Sequence, residues 1–254
     1  MTTCFIRQCG AVIIGDEILS GRRDDAHLPF LIQTLAQKGV SLGRVTYVGD
    51  DATELLQTLQ QSRMWQYPVF CFGGIGATED DRTRQMAAQL FEQPLCRHPE
   101  AEKMIRERFG DAAEPNRILM ADLPQGAHLI PNPMSQIPGF QVDQHFFLPG
   151  FPQMAHPMVQ WCLTHRLTVP GHPTGATFAL WVRTPESDLV PIMRELSRTY
   201  PHCRFFSLPH VDPEAPKELG FRSKVEEPTV QHALIKALQQ ASIPWSTTPD
   251  SLGK

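Results

Sequence analysis

Seven acidic residues stand in three groups that could act on one ligand: Asp16-Glu17, Asp50-Asp51 and Glu79-Asp80-Asp81. Each group comes after a short apolar run, at residues 11–14, 45–48 and 69–72. Carboxylates brought close together repel one another at low dielectric, and a hard divalent cation such as magnesium relieves that repulsion. Between the third run and its acids lies Gly73-Gly74-Ile75-Gly76-Ala77-Thr78. Glycines allow positive φ and close backbone approach. A turn of this kind opening onto a helix amino-terminus offers N–H donors to a phosphate or another anion. Acids for a metal and glycines for an anion are the two halves of a phosphate site. The turn is not a Walker A loop, because no Gly-Lys-Ser/Thr follows, and it lacks the last glycine of a dinucleotide fingerprint. A structural reading stands beside the chemical one. Asp50 or Asp51 can cap the helix that follows, and Asp80 or Asp81 can complement a helix dipole. Glu17 and Ser20 can be loop residues, Asp24-Asp25 a solvated turn, and Arg82 and Arg84 solvated or phosphate-adjacent cations.

The elements that must position these groups follow from hydrophobic periodicity. Residues 11–14, Ala-Val-Ile-Ile, form an unbroken apolar run stopped by Gly15, the pattern of a strand buried on both faces of a parallel sheet. Leu28, Leu31, Ile32 and Leu35 have helical spacing over residues 28–38, with Gly39 as the stop. A strand at 45–48, a helix at 53–64, a strand at 69–72 and a helix at about 80–90 continue the alternation. Three β-α units predict a doubly wound α/β architecture whose strands share a carboxyl edge, where ligands bind in open α/β folds. A charged helix at 99–109, two hairpin-like strands at 127–130 and 145–148, and a closing helix at 154–165 complete a first domain over residues 1–170. A small β-α-β-β-α module is expected over 171–243, and residues 244–254 read as a loose tail.

Composition limits the partners. The chain has 254 residues with a net charge of −4, so no bulk field draws it to nucleic acid or to a membrane surface. Neither a signal peptide nor an apolar stretch of membrane-spanning length is visible, and the expected location is cytoplasmic. Six cysteines without a CxxC pair and histidines without ligand spacing argue against a zinc site or a disulfide framework. Proline is over-represented at 23 residues, against an average of about 5%, and it concentrates between residues 115 and 157.

The motifs together resemble a known family. Ile14-Gly15-Asp16-Glu17-Ile18-Leu19-Ser20-Gly21, Val48-Gly49-Asp50-Asp51 and Gly73-Gly74-Ile75-Gly76-Ala77-Thr78-Glu79-Asp80-Asp81-Arg82-Thr83 resemble the molybdopterin-binding domain of the MoaB/Mog family. Within it, the nearer likeness is to the subgroup holding the amino-terminal part of CinA, the competence/damage-inducible protein A. Pro115-Asn116-Arg117, Asn132-Pro133, Pro138-Gly139-Phe140 and Leu148-Pro149-Gly150-Phe151-Pro152 are similar to that subgroup's recurrent loops, and Ser207-Leu208-Pro209 and Ser223-Lys224 to its second, small domain. CinA's carboxy-terminal deamidase domain has no counterpart in these residues.

The resemblance implies a three-layer αβα domain with a mostly parallel sheet, followed by the small α+β domain. It implies a molybdopterin-binding-domain protein acting as a metal-dependent nucleotide pyrophosphatase (a hydrolase) on an ADP-ribose-like or FAD-like diphosphate. The alternatives are a non-catalytic molybdopterin-binding protein of molybdenum cofactor biosynthesis and an oligomeric scaffold with a vestigial pocket. In the leading case Asp50 and Asp81 are catalytic, and Asp50, Asp81, Asp16, Glu17 and Asp80 hold a divalent metal, magnesium or cobalt. Gly15, Gly73, Gly74, Gly76, Thr78, Thr83 and Asn132 hold the phosphate or pterin. The expected partners are a small-molecule nucleotide or pterin and further copies of the chain, as a dimer or trimer. Three departures from the family pattern stand at Ala77, at Asp24-Asp25-Ala26 and at Ser135-Gln136-Ile137.

Overall fold

The computed structural model describes residues 6–171, 175–210, 212 and 215–251. The chain divides into two compact units, residues 1–172 and 173–254. Among the described residues no helix is long and apolar enough to cross a membrane.

The first unit runs β1 (Gln8–Ile14), α1 (Asp16–Leu19), α2 (His27–Gln37), β2 (Ser41–Val48), α3 (Ala52–Arg63), β3 (Val69–Phe72), α4 (Thr83–Leu90), β4 (Leu95–Arg97), α5 (Pro99–Phe109), β5 (Asp122–Pro124), β6 (His128–Ile130), β7 (Gly139–Val142), β8 (His145–Leu148) and α6 (Pro152–His165). Its main sheet has the order β2-β1-β3-β8-β7-β6. The first four strands are parallel, and β7 and β6 are added antiparallel. This is the expected mostly parallel α/β architecture.

The unbroken apolar runs have a direct cause. Val12 and Ile14 of β1, with Val69 and Cys71 of β3, enter a core shared with Leu55, Leu59, Ala87, Leu90 and Ile105 of α3, α4 and α5. Their alternates Ala11, Ile13, Phe70 and Phe72 enter a second core with Leu31 and Leu35 of α2 and Met158 and Val159 of α6. Successive side chains point to opposite faces, so the central strands β1 and β3, covered on both sides, present apolar side chains to both layers. That makes the three layers αβα.

The structure corrects the strand plan in the proline-rich region. The strands expected at 127–130 and 145–148 exist as β6 and β8, but β7 lies between them and pairs with both. A two-stranded ladder of β4 and β5 was also not anticipated. α4 begins at Thr83 rather than near Asp80, because residues 78–82 are committed to the glycine turn.

The second unit comprises β9 (Ala176–Val182), α7 (Glu186–Thr199), β10 (Arg204–Leu208), β11 (Lys217–Ser223), α8 (Pro228–Gln240) and β12 (Trp245–Ser246). The sheet order is β10-β11-β9-β12, with every neighbour antiparallel. Leu180, Val182, Leu219 and Phe221 pack against Leu189, Leu196, Val230, Leu234 and Leu238 of the two helices. The residues expected as a loose tail instead supply β12, which pairs Trp245 and Ser246 with Val182 and Trp181 of β9. The module is thus β-α-β-β-α-β, a split β-α-β arrangement.

Candidate active site

The loops leaving β1, β2, β3 and β8 surround a cleft of about 590 Å³ at the carboxyl edge of the parallel strands. Gly15, Glu17, Asp50, Gly73, Gly74, Gly76, Thr78, Asp80 and Asp81 all line it. Nine of the expected site residues therefore converge. The topology explains why, since parallel strands deliver successive loops to one side.

The glycine turn is shaped by positions that only glycine fills. Gly73 has φ +106°, and a Cβ there would lie 2.3 Å from the carbonyl oxygen of Ile14. Gly74 has φ +68°, and its Cβ would meet the Thr83 hydroxyl at 2.3 Å. Thr83 is fully buried. Its hydroxyl donates to the Gly73 carbonyl at 2.9 Å and its backbone N–H donates to the Gly74 carbonyl at 2.9 Å. Thr83, expected to touch ligand, instead pins the turn. Asp81 braces the other end: its Oδ2 accepts from the Thr78 N–H at 2.9 Å and from the Thr78 hydroxyl. Asp81 also lines the cleft.

Arg84 differs from its expected role as a solvated or phosphate-adjacent cation. Its side chain is buried and donates to the backbone carbonyls of Gly76, at 2.8 Å, Asp122, at 3.1 Å, and Leu119. It ties the back of the glycine turn to β5. Burial pulls its pKa below the usual arginine value, against the raising influence of Asp122 and Asp81.

The loops after β1 and β2 are joined reciprocally. The Asp50 carboxylate accepts from the Asp16 N–H at 3.0 Å, and the Asp16 carboxylate accepts from the Asp50 N–H at 3.3 Å. Burial raises the Asp50 pKa, the Asp16 N–H counteracts it, and the charges of Asp16, Glu17 and Asp80 push it further up. Asp51 resolves differently from its neighbour: its carboxylate caps α3 by accepting from the N–H groups of Thr53 and Glu54. Of the adjacent pair, one acid is structural and the other lines the cleft.

Asn132 does not line the cleft. It is buried, its Oδ1 accepts from the N–H groups of Met134 and Ser135, and its amide donates to the Ser135 hydroxyl. It shapes a loop from which Ser135 and Ile137, two of the departures from the family pattern, do line the cleft. Asp25, read as a solvated turn, accepts from the N–H groups of His27 and Leu28 at the start of α2 and from the Tyr47 hydroxyl at 2.8 Å. His27 follows it, stacked on Phe72 at 4.2 Å, with Nε2 3.1 Å from the Gly150 carbonyl. Burial lowers the His27 pKa, which keeps the ring neutral behind the cleft.

Arg23, Met120, Phe151 and Met154 also line the cleft and were not anticipated. For Phe151 a signal existed, because it lies in the loop after the 145–148 strand. A parallel neighbour of β3 must deliver its loop to the same edge.

The five expected metal ligands do not form one cluster. Among the described residues, no three acidic, histidine or cysteine side chains gather in a group that could hold a metal ion. Asp16 is spent on the Asp50 backbone. The donor set nevertheless suits magnesium, which binds through one or two carboxylates and completes its shell with waters and substrate phosphates. The mutual repulsion felt by Asp50 is what a cation would relieve.

Comparison with known proteins agrees with this geometry. Residues 10–169 match the family model described as "Probable molybdopterin binding domain". A CinA-like protein of Anaeromyxobacter sp. (strain K) is 34% identical over 188 residues, covering 71% of this chain and 46% of that protein. The chain thus spans about half the length of such curated relatives. A protein of Pyrobaculum calidifontis is 29% identical over 245 residues, covering 92% of this chain and 90% of its own length. The crystal structure of CinA from Thermoplasma acidophilum, a protein of unknown function, superposes with a TM-score of 0.58 at 27% identity, over 63% of this chain and 97% of that one. With its glycine turn and acidic strand ends placed on one cleft and the match spanning residues 10–169 of that unit, the chain belongs to the MoaB/Mog-like molybdopterin-binding domain family and has CinA-like relatives.

Proposed function

We propose that the chain is a metal-dependent nucleotide pyrophosphatase acting on an ADP-ribose-like or FAD-like diphosphate. The observation that carries this reading is the shared cleft, in which the Gly73–Gly76 turn faces Glu17, Asp50, Asp80 and Asp81. Backbone N–H groups of the turn cradle one phosphate. Asp50 and Asp81 would hold a divalent cation, which would supply polarisation of a phosphoryl oxygen and acidification of water. A cleft carboxylate not holding the cation, Glu17 or Asp80, accepts the proton of the attacking water. The water oxygen bonds to one phosphorus, the bridging P–O bond breaks, and ADP-ribose gives AMP and ribose 5-phosphate. Incubation with ADP-ribose and magnesium or cobalt is expected to release AMP, and Asp81→Ala to slow release by roughly 100-fold or more. No turnover with either metal, or an unchanged rate in Asp81→Ala, refutes the reading.

The family description favours a second reading, a non-catalytic molybdopterin binder. Co-purification of a fluorescent pterin without diphosphate hydrolysis would select it.

A further inference from the structure

We infer that Phe151 and Arg23 form a heteroaromatic-ring subsite of the cleft, in which Arg23 occupies the place of the ring until ligand arrives. Phe151 lines the cleft and is 50% exposed, so its ring can be reached by a planar group entering the cleft. Its backbone is rigid: it precedes α6, and its carbonyl accepts from the N–H groups of Met154 at 3.0 Å and Ala155 at 2.9 Å. A ring mounted this way loses little freedom when a planar group stacks on it.

Arg23 lies with its guanidinium carbon 5.2 Å from the Phe151 ring centroid. Among the described residues it is the one cationic side chain lining a cleft that also presents Glu17, Asp50, Asp80 and Asp81. That spacing is too short to admit a heteroaromatic ring about 3.4 Å from each partner, so ligand must displace the guanidinium. An exposed cation–π contact is weak and easily exchanged. The released cation is then available to the phosphates, whose charge the surrounding acids would otherwise oppose. Met120, Ile137 and Met154 supply apolar wall on the same cleft, as flat ring recognition requires.

The ligand class is a planar heteroaromatic ring joined to phosphate, shared by nucleotides and pterins. The inference rests on the phosphate reading of the cleft, and its test reads binding rather than turnover. Calorimetric titration of the full chain with AMP, adenosine and ribose 5-phosphate separates the two residues. Phe151→Ala is expected to weaken AMP and adenosine about tenfold, as loss of one stacking face does, and to leave ribose 5-phosphate unchanged. Phe151→Trp restores AMP affinity. Arg23→Gln weakens AMP and ribose 5-phosphate by about tenfold and leaves adenosine unchanged or tighter. The same pattern with neopterin phosphate in place of AMP supports the subsite with a pterin as occupant. An unaltered AMP affinity in Phe151→Ala, equal losses for AMP and ribose 5-phosphate in that variant, or no binding of either ring by the unaltered chain overturns it. Absence of ADP-ribose hydrolysis would refute the pyrophosphatase reading while leaving this binding pattern standing.

Discussion

In the first unit β2, β1, β3 and β8 run parallel, so their carboxyl ends and following loops share one edge. In the second unit all neighbouring strands are antiparallel, so chain ends alternate between the two edges of the sheet. The first arrangement gathers acids and backbone donors from residues far apart in sequence, and the 590 Å³ cleft is the result. The second spends its buried polar groups on its own backbone: buried Lys217 donates to the Thr184 carbonyl, and buried Ser223 to that of Val225. Chemistry in this chain follows strand direction more than residue composition.

Four measurements would break or sharpen that contrast. The largest effect is expected at the turn. Gly73→Ala forces a positive-φ side chain against the Ile14 carbonyl, which should cost about 4 kcal/mol in urea unfolding and abolish AMP binding. Retained binding would show that the turn is not the phosphate cradle. Next, Leu219→Ala in the core of the second unit, where Leu219 is fully buried, should destabilise by about 3 kcal/mol with AMP affinity unchanged. A parallel loss of affinity would mean the second unit supports the cleft.

Third is a pH effect confined to the first unit. His145 is buried beside Ser62, 2.9 Å from its hydroxyl, and burial lowers its pKa to about 4. The unfolded chain, with a histidine near 6.5, therefore binds more protons between these values. Stability from this residue is complete above pH 6.5 and falls as pH drops toward 4, by about 2 kcal/mol between pH 7 and pH 5. His27 and His156, also lowered by burial, act in the same direction. His145→Phe should flatten the slope without removing it. The smallest effect separates two adjacent acids. Asp51→Ala should cost about 1 kcal/mol as a lost helix cap with turnover intact, whereas Asp50→Asn should lose turnover with little change in stability. Equal effects on turnover would erase the distinction between cap and site.

Much of the fold was legible because burial on both faces leaves unmistakable apolar runs. β3 matches its expected span, Val69–Phe72, and so does α5, Pro99–Phe109. β7 and β12 were not legible, since each is short and owes its existence to a distant partner. Trp245 and Ser246 read as tail until β9 supplies an edge. In the site, strand-end position identified Glu17, Asp50, Asp80, Asp81 and the glycines. It could not distinguish Asp50 from Asp51, because both can cap a helix and only the position of each carboxylate decides. Nor could it show that Thr83 and Arg84 face inward to hold the turn, because a helix position does not reveal what its backbone neighbours need.

The sequence by itself determined the β-α alternation, the sheet edge at which the acids and glycines gather and the family to which the first unit belongs. Periodicity, glycine placement and motif order are local properties and survive without coordinates. Only the tertiary structure decided which polar groups are consumed in building the cleft and which are left for a ligand. Asp16, Asp51, Thr83, Arg84 and Asn132 spend their hydrogen bonds on backbone or loop partners. Asp50 and Asp81 also accept backbone bonds, from Asp16 and Thr78, but unlike Asp16 they line the space between the loops, together with Arg23 and Phe151. That division depends on contacts between residues tens of positions apart, and a hydrogen bond already made to the fold is not available to a substrate.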